Sequence, residues 1–357
     1  MITGNKGEWS EIYVFLKLLG DGCLYAADEN LNKLEVLSFP ITAIKKDNKL
    51  FQRNREERKI NIIDGRTKQV IISLYQSEFI EKSNILLERI KQGEGSFNVS
   101  EIEQFMNRIN VLSLKSPSTS KGDITIILYD VFTSQDREFN FSIKSQIGSS
   151  STLLNAGKTT NFIYKIEGNT NHLCVEDING ISTSSKIKDR IEKIRLTNGL
   201  KYVGMESDVF DVNLQLIDSR LPEIISNMVL YYYSGFSSSV EQLTLLLNKM
   251  NPLEFNLGKN KYLYEYKIKK FLREIALGMV PSKEWSGELN ATGGYIIVKE
   301  NGDVVCYHIY NMNQFEEYLF MNTKFDTAST TRHQFGMIYE ENNELYLKLN
   351  LQIRFNK

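Results

Sequence analysis

Apolar positions at helical spacing open the chain. Trp9, Ile12, Tyr13, Leu16 and Leu19 share one face of a segment from 7 to 20, and Gly20-Asp-Gly22 follows as a stop signal. The charged stretch 45–59 reads as an exposed loop or edge, and 60–75 alternates like a hairpin around Asp64-Gly65. Helical patterns return at 78–90 and 100–109, where Ser100 and Glu103 have capping-box spacing. The breaker-rich run 115–122 reads as a loop, and 162–166 as a strand. In the second half the pattern predicts helices at 184–195, 218–234, 238–250 and 260–277. Two hairpins follow, around Asn301-Gly302 and around 341–343, with a helix near 313–320 between them.

The segment 123–146 carries the clearest chemistry. Phe139, Phe141, Ile143 and Ile147 fall on one face of a strand, while Asn140, Ser142, Lys144 and Gln146 fall on the other. The preceding strand, 124–128, is apolar at nearly every position, which predicts burial on both faces. A lysine beside such a strand needs a partner, and Asp123 stands across the hairpin, whose turn falls near 133–136. A carboxylate and a strand-borne lysine so placed can hold a metal ion and act on a phosphodiester. A loop aspartate with a solvent-facing lysine weighs about equally on physics alone.

Three other groups carry weaker signals. Glu8 and Glu11 lie in one helical turn; such acids usually favour the helix dipole, but Glu11 borders the apolar face and can lean toward a pocket. Gly157-Lys158-Thr159 matches the end of a P-loop, yet Thr152 stands where the first glycine must be, which excludes that motif. The stretch 152–161, with Asn155, Lys158, Thr159, Thr160 and Asn161, reads as a loop or short helix able to touch phosphates or bases, or simply to satisfy itself. The run 327–333 gathers hydroxyls around Arg332 and His333, residues suited to phosphate positioning or guanine readout, though more often plain surface.

Composition narrows the field. The 357 residues suffice for one large domain or two lobes, and a net charge of -1 puts any nucleic-acid contact on local patches. The three cysteines and three histidines are scattered, which argues against a disulfide framework or a zinc site and fits a reducing cytoplasm. No apolar run approaches membrane-spanning length.

The hairpin resembles the core of the PD-(D/E)xK nucleases, where an Asp opens one strand and an acidic-x-Lys motif occupies the next. Lys6-Gly-x-x-x-Glu11 resembles the first-helix signature of that superfamily. Gly4-Asn-Lys-Gly-Glu-Trp-Ser-Glu11, Phe141-Ser-Ile-Lys-Ser-Gln-Ile-Gly148 and Thr152-Leu-Leu-Asn-Ala-Gly-Lys-Thr-Thr-Asn-Phe162 are similar to the HpaII-type type II restriction endonucleases. So are Gly293-Gly-Tyr-Ile-Ile-Val298 and Arg332-His-Gln-Phe-Gly336, so the likeness spans the chain. It implies an α/β (α+β) fold with a central mixed sheet flanked by helices in a catalytic core at 1–170. An additional C-terminal α+β lobe at 171–357 would contribute to DNA recognition.

The resemblance also implies Mg2+-dependent cleavage of double-stranded DNA at CCGG. Asp123 would be a metal ligand, Lys144 the catalytic lysine, Glu11 the helix-borne acid, and the carbonyl of Ile143 a further ligand, with Gln146 as polar support. The departure is Ser142, where the superfamily usually has Asp or Glu; Asp130 and Glu138 are the reserves should Glu11 not supply the missing acid. A four-base palindrome implies a homodimer, although a monomer nicking each strand in turn satisfies the same chemistry. A cognate DNA methyltransferase is expected in such a system, with no physical contact implied. The competing readings are a non-catalytic DNA-binding protein on a decayed nuclease fold, motivated by Ser142, and a repair or branched-DNA nuclease.

Overall fold

In a computed structural model, residues 1–114, 122–130, 134–308 and 312–356 are described; all but the last residue of the loop expected at 115–122 and part of the hairpin turn at 133–136 lie outside them. The chain opens with α1 (Lys6–Asp21), started by a capping box between Asn5 and Glu8 and stopped by Gly22 at φ 73°. It is buried nearly all round, because it packs against both a neighbouring helix and the sheet. Four strands follow without helical interruption after the short β1 (Cys23–Ala27): β2 (Lys33–Lys46), β3 (Lys49–Asn54), β4 (Lys59–Asp64) and β5 (Val70–Tyr75). The charged stretch expected to be an exposed loop or edge is therefore largely strand inside the sheet. Asp47 and Asn48, both at positive φ, form the two-residue turn between β2 and β3.

Helices α2 (Gln76–Gln92) and α3 (Ser100–Arg108) come next. The expected capping box of α3 does not form: Ser100 donates to Asn98, and Glu103 instead accepts from Asn98 and the N–H of Ile2. Then come β6 (Ile124–Asp130) and β7 (Gln135–Ser145). The expected burial of β6 on both faces holds for one face only: Ile124, Ile126 and Leu128 are buried, and the alternate positions are partly open.

The strand β8 (Thr152–Leu154) takes the start of the stretch expected to be a loop or short helix, and the rest of it is loop with a short 3-10 helix at Lys158–Thr160. It is followed by β9 (Asn161–Glu167), α4 (Val175–Asn179), α5 (Lys186–Arg195), β10 (Gly199–Met205), α6 (Asp208–Ile217), α7 (Leu221–Tyr233), α8 (Val240–Met250) and α9 (Leu263–Leu277). The hairpin β11 (Gly294–Val298) and β12 (Val304–His308) precedes α10 (Met312–Met321). The chain closes with β13 (Thr323–Phe325), α11 (Thr330–His333), β14 (Ile338–Glu341), β15 (Glu344–Asn350) and β16 (Ile353–Phe355). No helix among the described residues is long and apolar enough to cross a membrane.

These elements form a mixed α/β protein of two compact units. The first comprises 1–151 and 289–318, the second 152–288 and 319–356. In the first, a nine-stranded sheet runs β1-β12-β11-β7-β6-β2-β3-β4-β5. Because β1 also pairs with β2, six of these strands close into a ring from which β3, β4 and β5 extend. Strand β7 lies between antiparallel β6 and parallel β11. In the second unit, a four-stranded sheet β10-β9-β15-β14 and a three-stranded sheet β13-β16-β8 accompany the helices.

Candidate active site

Register builds the site. Ile124 pairs with Phe141 and Thr125 with Asn140, so Asp123, one residue before β6, comes level with Ser142. The Asp123 N–H donates to the Phe141 carbonyl at 2.7 Å. Its Oδ2 accepts from the Ile143 N–H at 2.6 Å and from the Ser142 hydroxyl at 3.1 Å. Ser142 is buried, at 2% exposure. A donor there satisfies the aspartate where a second buried carboxylate would repel it, a physical reason for the neutral residue.

Lys144 is half-buried on the same strand, its ammonium 5.5 Å from the centre of the Tyr295 ring. Burial pushes its pKa down, while Asp123 and then Glu11 pull it back. Tyr295 lies on β11 opposite Ser142, and burial together with Asp123 pushes its hydroxyl pKa up. Gln146, just past β7, donates its N–H to the Val298 carbonyl at 2.8 Å. Of the reserve acids, Glu138 pairs with Lys45, and Asp130 lies at the other end of the hairpin, 3.8 Å from Arg137.

Helix α1 docks on β7 through Ser10, whose hydroxyl lies 2.9 Å from that of Ser145. The next residue, Glu11, lines the same cavity as Asp123. Glu8, by contrast, closes the helix cap.

Lys46 also belongs here, though its place in a charged run disguised it. It ends β2, and since Lys45 pairs with Thr125, Lys46 comes level with Ile124, beside Asp123. It lines the cavity with Glu11 and Asp123; burial lowers its pKa, opposed by Asp47, Glu11 and Asp123. The Asp-Asn pair after an alternating run was the available signal, because a two-residue turn puts Lys46 and Lys49 opposite each other.

Two carboxylates and two lysines thus share one electrostatic neighbourhood. The described residues contain no cluster of three or more His, Cys, Asp or Glu side chains able to hold a metal. A pair of carboxylate oxygens suits Mg2+, which keeps several waters and typically takes one or two carboxylates, so this donor set fits that ion and not zinc.

The other expected contacts lie in the second unit. Asn155 and Lys158 are exposed and Thr159 is half-buried, whereas Thr160 and Asn161 are fully buried. Asn350 donates to the Gly157 carbonyl, Thr160 Oγ1 and Asn161 Oδ1 at 2.7, 3.1 and 2.7 Å. Asn161 in turn donates to Glu206 at 2.7 Å and to the His333 carbonyl at 2.9 Å. Thr160 and Asn161 therefore brace the loop from inside instead of facing a ligand. The last of these bonds joins the 152–161 loop to α11, where Arg332 is exposed and His333 half-buried.

Comparison with known proteins supplies the class. A family model described as HpaII restriction endonuclease matches residues 5–355. The chain is 43% identical over 363 residues to the type II restriction enzyme HpaII of Haemophilus parainfluenzae, covering 99% of this chain and 98% of that one. No solved structure matches. The chain belongs to the HpaII restriction endonuclease family. Its activity is accordingly that of a restriction endonuclease, a site-specific DNA-cleaving enzyme, and not that of an inert binding protein.

Proposed function

We propose that the enzyme hydrolyses double-stranded DNA at a short palindrome, CCGG as the resemblance implies, with Mg2+ held by Asp123 and Glu11. The observation that carries this reading is the half-buried Lys144, set in the combined field of those two carboxylates. When bound, the ion supplies charge neutralisation at the phosphate and a lowered pKa for a water ligand. Asp123 is fixed for its part by the Ile143 N–H and the Ser142 hydroxyl, so it needs little reordering to serve as a ligand. Lys144, made easier to deprotonate by burial, orients the attacking water and takes its proton as the water oxygen bonds to phosphorus and the P–O3′ bond breaks, the leaving 3′ oxygen taking a proton from solvent. The Ile143 carbonyl is the proposed third protein ligand, and Gln146 orders water beside it. The PD-(D/E)xK core is the fold reading that accounts for an Asp before one strand, a Lys on the next and an acid on the first helix.

In the second unit, Asn155, Lys158 and Thr159 are the proposed DNA contacts, with Arg332 and His333 as base readers. Cleavage of both strands of a palindrome suits a homodimer in the cytoplasm, with a cognate methyltransferase in the same system. Incubating the protein and its Lys144→Ala variant with plasmid and Mg2+ tests the reading. Discrete fragments ending at CCGG from the wild type alone support it. Absence of wild-type cleavage refutes it, and cutting that follows DNA structure in place of sequence points to a repair nuclease. If Glu11→Gln cuts at the wild-type rate, the second acid lies elsewhere.

A further inference from the structure

The cavity in front of Asp123 and Glu11 has a volume of about 660 Å³ and is built from the first unit alone. Five cations line it, Lys45, Lys46, Lys49, Arg66 and Lys68, against three carboxylates, Glu11, Asp47 and Asp123. Asp47 is already committed: its Oδ2 accepts from the N–H groups of Leu112 and Ser113 at 2.7 and 3.2 Å, and its Oδ1 from the Ser113 hydroxyl at 2.8 Å. Lys45 is committed likewise to Glu138. The remaining cations outnumber the remaining acids, and those acids are the proposed metal ligands.

The backbone of the cationic rim is held by hydrogen bonds. Arg66 and Lys68 stand exposed on the turn between β4 and β5. Asp64 Oδ1 accepts from the N–H groups of Arg66 and Thr67 at 2.9 and 2.8 Å, which fixes that turn. The Gly65 N–H donates to the Asn48 carbonyl at 2.9 Å, tying this turn to the one between β2 and β3. A Cβ at Gly65 would lie 2.3 Å from that oxygen, so only glycine allows the approach. Two hairpin ends therefore make one wall, with cationic side chains outward.

We infer that this wall grips the phosphodiester backbone of the strand being cut, with Arg66 and Lys68 on phosphates at the rim and Lys46 on the phosphate nearest the carboxylates. The inference rests on the nuclease reading above. Ammonium and guanidinium groups offer donors only, which suits phosphate oxygens and carries no sequence information by itself. Lys46 acts here as a positioning residue for the phosphate and not as a ligand.

Binding of a CCGG duplex, with Ca2+ in place of Mg2+, is measured by fluorescence anisotropy across a range of NaCl concentrations. The slope of log K against log salt shrinks by roughly 2 in Arg66→Gln/Lys68→Gln, at about 0.9 for each phosphate no longer neutralised, with the cut sequence unchanged. The slope stays at the wild-type value in Arg89→Gln, an exposed cation on α2 away from the cavity. Lys46→Met cuts more slowly by roughly tenfold to a hundredfold, the worth of one charge-assisted hydrogen bond, and Lys46→Arg restores most of that. A wild-type slope in the rim double variant, whose exposed positions leave folding intact, overturns the inference while the enzyme still cuts. A wild-type protein that neither binds nor cuts the duplex overturns the nuclease reading instead.

Discussion

His308 offers a quantitative test of the first unit's packing. It ends β12 at 1% exposure, stacked on Phe39 at 4.6 Å, edge-on to Phe139 at 4.9 Å and tilted against Phe141 at 5.8 Å. Burial lowers its pKa from 6.5 to about 4, with Asp130 opposing the shift. Above pH 6.5 the ring is neutral in both folded and unfolded chains, and the shift costs nothing. Between 6.5 and 4 the unfolded chain takes up a proton that the folded chain refuses, so stability falls with pH; below 4 both are protonated and the loss is complete. At about 1.4 kcal/mol per pH unit, the full loss is roughly 3 kcal/mol. His308→Phe keeps an aromatic ring in the cluster and removes the proton site. Urea unfolding followed from pH 7 to pH 4 should therefore show the wild type losing roughly 3 kcal/mol more than the variant. Parallel pH profiles for the two proteins would refute the assignment of a buried neutral imidazole.

Three further outcomes follow from particular bonds. Ser142→Asp places a second carboxylate against Asp123, so its melting temperature should fall below that of the wild type in EDTA and rise more steeply with added Mg2+; a melt indifferent to Mg2+ contradicts the proposed ligand set. Asp47→Ala strips three hydrogen bonds from the segment at 112–113 and replaces a residue tolerant of positive φ, for a loss of roughly 1–3 kcal/mol in thermal unfolding. Asn350→Ala takes the donor from Asn161 Oδ1 and one of three donors from the Gly157 carbonyl, and should lower the urea midpoint by a similar amount, read by far-UV circular dichroism.

Much of the first unit was legible because its elements are locally determined. Helix α1 carries its own cap and stop, and the β6–β7 hairpin its own alternation, so Asp123, Ser142 and Lys144 could be placed relative to one another from spacing alone. Periodicity marked Glu11 as a boundary residue able to lean toward a pocket, but its tie to Asp123 came through the family resemblance, since helix periodicity does not say which neighbour a boundary residue will meet. Lys46 was hidden by charge: a run of lysines looks solvated, and only its pairing with β6 brings it beside Asp123. Thr160 and Asn161 misled in the opposite sense, because hydroxyls and amides that brace a loop from within have the same composition as those that face a ligand. Tyr295 carried no signal beyond its place in the 293–298 family block, because a tyrosine on an apolar strand gives no hint that its ring will lie under a lysine 151 positions earlier.

The strand that lies against β7 on its far side, β11, is reached only after the chain has passed through most of the second unit. During synthesis, Asp123 and Lys144 leave the ribosome long before Tyr295 and the strands that complete their sheet. A chain broken off anywhere between 152 and 288 would hold Glu11, Lys46, Asp123 and Lys144 yet lack the strand beside Lys144. The order of segments along the chain thus makes completion of the sheet around the candidate site a late event in making the enzyme.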